Sequence, residues 1–194
     1  MTMTRRARIR GAALLAAAVG ALGWPGAAQA AEVTITTAPA QVHQGDAVEV
    51  TFTLPEERPG ARTERIEIRL PAEAPVAEVY PMSVPGWAPR ITTRTLDRPV
   101  AGIHAAGVNL VTDAVTWARA PGTAAAPARL ALAMGPMPQT DRLAFQVVQT
   151  YSDGTVVRWT DPAAGAHPAP ALTLLPPAPG AASGGHGGHG GAGC

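Results

Sequence analysis

The segment Gly184-Gly185-His186-Gly187-Gly188-His189, followed by a thiol at Cys194, brings metal-ligating side chains together at the end of this 194-residue chain. Imidazole suits copper and zinc, and a thiolate suits Cu(I). Glycine spacers let the backbone wrap around an ion. Binding must order that backbone and needs neutral imidazoles, so the affinity is modest and falls below about pH 6. The competing reading is a solubilising spacer. Cys194 is the single cysteine, which excludes an internal disulfide. In an oxidising compartment it would permit a dimer through an intermolecular disulfide.

The remaining chemistry-bearing residues read blandly. His43 lies in a turn beside Gly45, His104 in a glycine-alanine loop and His167 before Pro168, with no mutual ligand spacing. Met82, Met134 and Met137 form no Met-x-Met run, and Met134 continues an apolar stripe. Trp87 and Trp117 read as core aromatics. The chain has no nucleophile-elbow Gly-x-Ser-x-Gly, no His-Glu-x-x-His and no phosphate loop, which argues against an enzyme. A formal net charge of +1, four of whose arginines lie in the first ten residues, argues against nucleic acid as a partner.

Those first residues read as an export signal, residues 1–30. Arg5, Arg6, Arg8 and Arg10 precede the apolar run Gly11 to Leu22, and Ala28-Gln29-Ala30 supplies small residues for a signal peptidase. The run is too short for a stable membrane span, and no later segment is long and apolar enough to be one. Cleavage after Ala30 leaves Ala31-Glu32-Val33 at the mature start, in the periplasm or outside the cell. Residues 31–176 are enough for one core. Residues 177–194 are proline, alanine, glycine and histidine with no large apolar group, a composition expected to be disordered.

Period-2 patterning runs through the middle of the chain. Val48, Val50, Phe52 and Leu54 alternate with polar residues, as do Ile66, Ile68 and Leu70. Leu130, Leu132 and Met134 form a third stripe, and Leu143, Phe145 and Val147 a fourth. Strands with one dry and one wet face produce this pattern. Turn signals separate them at Gln44-Gly45-Asp46, Pro55 to Gly60, Pro85-Gly86, Pro121-Gly122 and Asp153-Gly154. The expectation is an all-β antiparallel sandwich of eight to ten short strands.

The stretch Gln149 to Pro162, QTYSDGTVVRWTDP, reads as a hairpin, and its turn decides where Trp159 points. A two-residue Asp153-Gly154 turn sets Trp159 opposite Val148, away from the core face. A three-residue loop, Ser152 to Gly154 with a glycine bulge, sets it opposite Val147 and into the core. Both turns suit the sequence.

QTYSDGTVVRW, together with Val84-Pro85-Gly86-Trp87, Val115-Thr116-Trp117 and Leu54-Pro55-Glu56-Glu57, resembles the YcnI-like family of exported bacterial domains, from about Glu32 to Leu174. The resemblance implies an immunoglobulin-like or cupredoxin-like sandwich and an association with copper. It also implies a Cu(II) site formed by a histidine at the mature N-terminus, a glutamate and the hairpin tryptophan. The glutamate falls on Glu57 and the tryptophan on Trp159, covering the ion with its π face, since indole N–H is a donor only. The histidine has no counterpart, because Glu32 stands in its place and offers a carboxylate oxygen instead. The resemblance favours Trp159 exposed beside Glu57, and hence the two-residue turn. The functional expectation is a non-enzymatic copper-binding or copper-delivery domain, with a copper-transport protein or cuproprotein as partner. The alternative is a metal-free interaction module on the same fold.

Overall fold

The computed structural model describes residues 32–124 and 126–179. Eleven strands are found there, and no helix. They are β1 (Thr34–Ala38), β2 (Val48–Leu54), β3 (Thr63–Arg69), β4 (Glu78–Pro81), β5 (Trp87–Val100) and β6 (Val108–Arg119). The rest are β7 (Ala128–Gly135), β8 (Arg142–Ala144), β9 (Gln146–Tyr151), β10 (Val156–Trp159) and β11 (Ala171–Thr173). One sheet has the order β1-β2-β7-β4 and the other β10-β9-β3-β6-β5, while β8 and β11 form a short third pair. All named pairings are antiparallel.

The alternation read from the sequence is the alternation of the core. Val50, Phe52 and Leu54 of β2 face Ile66 and Ile68 of β3 across the sandwich, joined by Leu130 and Leu132 of β7, and all are fully buried. On β2 and β3 their neighbours are polar and on β7 mostly alanine, and these take the other face, so burying one strand face commits the whole register. Phe52 and Phe145 meet edge to face with ring centroids 5.0 Å apart. Met134 and Trp117 are buried with them, as expected.

Three expectations change. The strands number eleven rather than eight to ten, and two are long: β5 has 14 residues and β6 has 12. The stripe Leu143-Phe145-Val147 is not one strand. β8 ends at Ala144 in the small sheet, Phe145 N–H donates to Pro170 C=O, and β9 begins at Gln146 in the larger sheet. Phe145 stays buried through that switch, so the stripe is unbroken even though the pairing partner changes. Trp87 is half-buried against the core rather than inside it.

Candidate functional site

The loop after β2, Pro55 to Gly60, lies against the β9–β10 hairpin and is pinned to it at three points. Gln149 Nε2 donates to Pro55 C=O at 2.9 Å, Glu57 N–H donates to Tyr151 Oη at 3.2 Å, and Arg58 pairs with Asp153 at 2.8 Å. Burial pushes the Tyr151 hydroxyl above its ordinary pKa, so it stays protonated at neutral pH. The Asp153 carboxyl is held below its ordinary value, chiefly by the Thr155 backbone N–H and then by Arg58.

A buried polar chain runs beneath this loop. Trp159 Nε1 donates to Gln149 Oε1 at 3.1 Å, and Gln149 Nε2 donates to Thr63 Oγ1 at 2.7 Å. Thr63 Oγ1 in turn donates to Glu56 Oε2 at 2.9 Å, and Arg119 Nη2 donates to Glu56 Oε1 at 2.9 Å. Arg119 also donates to the carbonyls of Thr63, Ala124 and Ala126, and its guanidinium stacks 4.6 Å from the Trp87 ring centroid. Each member of this chain has its partner, the condition under which buried polar groups are not destabilising. Glu57 therefore leaves a rigid platform: its neighbours on both sides are held by side chains that are themselves held.

The hairpin corrects the expectation for Trp159. Val156 pairs with Thr150 and Trp159 with Val147, Tyr151 N–H donates to Thr155 C=O, and Gly154 has φ +82°. This is the three-residue loop with a left-handed glycine, not the two-residue turn. The register sends Trp159 inward, where it is 0% exposed. Its face is not available to cover an ion at the surface.

What stands next to the indole is His167. The two rings meet edge to face, with centroids 4.9 Å apart. His167 Nε2 lies 3.3 Å from Glu57 Oε2. The chain reaches this position because the loop after β10 folds back on Asp161. His167 N–H donates to Asp161 Oδ2 at 3.0 Å, and Asp161 N–H donates to His167 C=O at 3.0 Å. Gly165 packs directly on the Asp161 side chain, leaving no room for a Cβ. Nothing in the sequence marks His167 as a site residue. Its only local signals are the preceding Asp161 and the following Pro168, which fix a loop but do not announce an imidazole site.

The structure thus brings Glu57 and His167 together, with Trp159 as a buried wall. Glu32 is exposed just before β1, whose register, Thr34 opposite Thr53, points the preceding chain towards the Leu54–Glu57 end of the sandwich. It makes no hydrogen bond or ion pair among the described residues. His186, His189 and Cys194 lie outside the described residues, as do the leader residues. Glu57 and His167 present one oxygen and one nitrogen donor side by side. With metal–donor distances of about 2.0–2.1 Å, two donors 3.3 Å apart subtend roughly 105–110° at one ion, close to tetrahedral and within a small adjustment of cis-tetragonal. Among the described residues there is no group of three or more His, Cys, Asp or Glu that could hold an ion.

A second titratable pair lies elsewhere. Glu78 on β4 accepts from the backbone N–H groups of Ile103 and His104 at 2.7 and 3.0 Å, and its other oxygen lies 2.8 Å from His104 Nδ1. One carboxylate thereby holds the β5–β6 loop against the first sheet, over a cleft of about 350 Å³ lined also by Tyr80 and Glu49.

Comparison with known proteins bears on the whole domain. The family model described as "Domain of unknown function (DUF1775)" matches residues 33–174. A crystal structure of a protein from Nocardia farcinica, described as having an immunoglobulin-like fold, is 30% identical; the match covers 74% of this chain and 97% of that one, with a TM-score of 0.57. A cohesin module from a Clostridium perfringens family 33 glycoside hydrolase is 10% identical with a TM-score of 0.41, covering 75% of this chain and 97% of that one. No curated protein matches. No helix among the described residues is long and apolar enough to cross a membrane. The two-sheet sandwich is immunoglobulin-like, and the chain belongs to the DUF1775 family, which is the YcnI-like family.

Proposed function

We propose that this is an exported, non-enzymatic copper-binding domain whose ion is held by Glu57 and His167 at the end of the sandwich. The observation that carries the reading is the 3.3 Å approach of His167 Nε2 to Glu57 Oε2 beside the Trp159 ring. The imidazole that Glu32 has displaced from the mature N-terminus is supplied here from the loop after the hairpin. Trp159 serves as the packed wall that orients the imidazole, not as a lid over the ion. Copper supplies no chemistry in this reading beyond being carried. The export signal, the family and the lack of catalytic motifs support the rest. Two protein donors leave positions for water, or for a partner that takes the ion, which suits delivery better than storage. His186, His189 and Cys194 are proposed as a second, separate set of donors.

The test is a Cu(II) titration of the exported chain carrying His186→Gln, His189→Gln and Cys194→Ser, followed by calorimetry and electron paramagnetic resonance. One ion should bind with the signature of a single imidazole nitrogen. His167→Gln should remove that signature, and Glu57→Gln should weaken binding by about tenfold. Affinity unchanged by His167→Gln would overturn the site. Binding that vanishes with the tail donors alone would move copper to the tail and leave the metal-free interaction module for the domain.

A further inference from the structure

Residues 32–179 carry eleven arginines and no lysine against fourteen carboxylates, a net charge of −3 with histidines neutral. The outer face of the larger sheet has the opposite sign. Reading across its five strands, Arg158 pairs with Val148, Val148 with Glu67, Glu67 with Thr116, and Thr116 with Arg90. Along β3, Arg65 and Arg69 flank Glu67 two residues to either side. Ile66, Ile68, Val147, Trp117 and Trp159 are buried on the inner face, so the alternation turns these five charged residues outward together. With strands about 4.8 Å apart and residues about 3.3 Å apart, the four arginines mark a cross of roughly 19 by 13 Å around one carboxylate.

Glu67 is engaged from both sides, by Arg69 at 2.6 Å and Arg65 at 3.8 Å. Arg65 and Arg69 remain more than half exposed. Arg90 and Arg158 are exposed and make no ion pair among the described residues. The positions beside the arginines on these rows, among them Val148, Thr116, Thr150, Gln146 and Val156, carry uncharged side chains. A formal +3 is thus concentrated on one face of an acidic domain, which directs its field outward.

We infer that this face docks an acidic segment of another protein, with Asp or Glu carboxylates bridging the arginines. Guanidinium forks match carboxylates in a bidentate geometry that lysines could not supply. The only large exposed apolar side chain on the three rows is Val156, with no aromatic, leucine, isoleucine or methionine to enter a lipid interface, and three net charges alone anchor weakly to a bilayer. Charge complementarity therefore favours an acidic protein over an anionic membrane.

The experiment measures fluorescence anisotropy of a labelled octaglutamate peptide with the whole exported chain, at low and at physiological salt. Binding should weaken at least tenfold in Arg90→Gln/Arg158→Gln, tighten two- to fourfold in Glu67→Gln, and change less than twofold in Arg129→Gln/Arg142→Gln, which removes the same charge elsewhere. Circular dichroism of each variant shows that it is folded. No binding at low salt, or equal losses in the two double variants, would overturn the inference. Tighter binding to vesicles of 30% phosphatidylglycerol, with the same dependence on Arg90 and Arg158, would overturn it in favour of a membrane.

Discussion

Trp159 donates its indole N–H to Gln149 Oε1 at 3.1 Å, inside a sandwich where both residues are fully buried. Gln149 then holds Pro55 and Thr63, so one hairpin tryptophan is linked to the loop that carries Glu57. Trp159→Phe removes volume and leaves a buried acceptor unpaired, which should cost about 2–4 kcal/mol. Trp117 is equally buried, but its N–H has no partner among the described residues. Trp117→Phe should therefore cost about 1–2 kcal/mol, since only packing is lost. Urea midpoints of the two variants decide the matter: equal costs would mean that the Gln149 bond contributes nothing to stability.

The loop Ser152-Asp153-Gly154 sets which face Trp159 occupies. Gly154 sits at φ +82° with open space around it, so an added Cβ meets no neighbour and the penalty is backbone strain alone. Gly154→Ala should destabilise by about 1–2 kcal/mol, and Gly154→Asn by less, because asparagine tolerates the left-handed region. Chemical denaturation would check the order Gly, Asn, Ala. Alanine more stable than asparagine would contradict the left-handed loop.

Much of this fold was legible because half-buried strands write their faces into the chain. The stripes through Val48–Leu54, Ile66–Leu70 and Leu130–Met134 each became a strand, and each of the five turn signals holds a glycine at positive φ. The break at Phe145 was not legible, since a residue can stay buried while its strand changes sheets. For Trp159, the residues allowed two turns, and the resemblance to a site with an exposed tryptophan selected the wrong one. His167 was invisible for a different reason. It lies 110 residues from Glu57, and only the pairing of β9 with both β3 and β10 brings the two loops to one end. Glu57, in contrast, was placed by its neighbours in Leu54-Pro55-Glu56-Glu57, a contiguous motif.

Arg119 is the other end of the buried chain. Its side chain is 3% exposed, it bridges Glu56 and three backbone carbonyls, and it stacks on Trp87. Arg119→Ala would leave Glu56 partly buried without its cation and should cost about 3–5 kcal/mol. Arg119→Lys keeps the charge but loses the fork and the stacking, and should still cost about 2 kcal/mol. Thermal unfolding of both variants checks this. Full rescue by lysine would reduce the role of Arg119 to charge alone.

Glu78 ties the β5–β6 loop to the first sheet, and its carboxyl is held below its ordinary value of 4.5, chiefly by the backbone N–H of His104 and then by the imidazole. A carboxylate with a depressed folded value stabilises the closed loop at pH above its ordinary range. That contribution is lost as the pH falls through the depressed value, where protonation removes the negative charge towards which Ile103 and His104 N–H donate. The amide resonances of Ile103 and His104 should therefore titrate together with a midpoint below 4.5. In Glu78→Gln the acid titration of both amides should disappear, because the amide keeps an acceptor but loses the charge. A midpoint at or above the ordinary value would mean that these hydrogen bonds do not favour the ionised carboxylate. The loop would then be held by its own packing, with Glu78 a bystander at the mouth of the cleft.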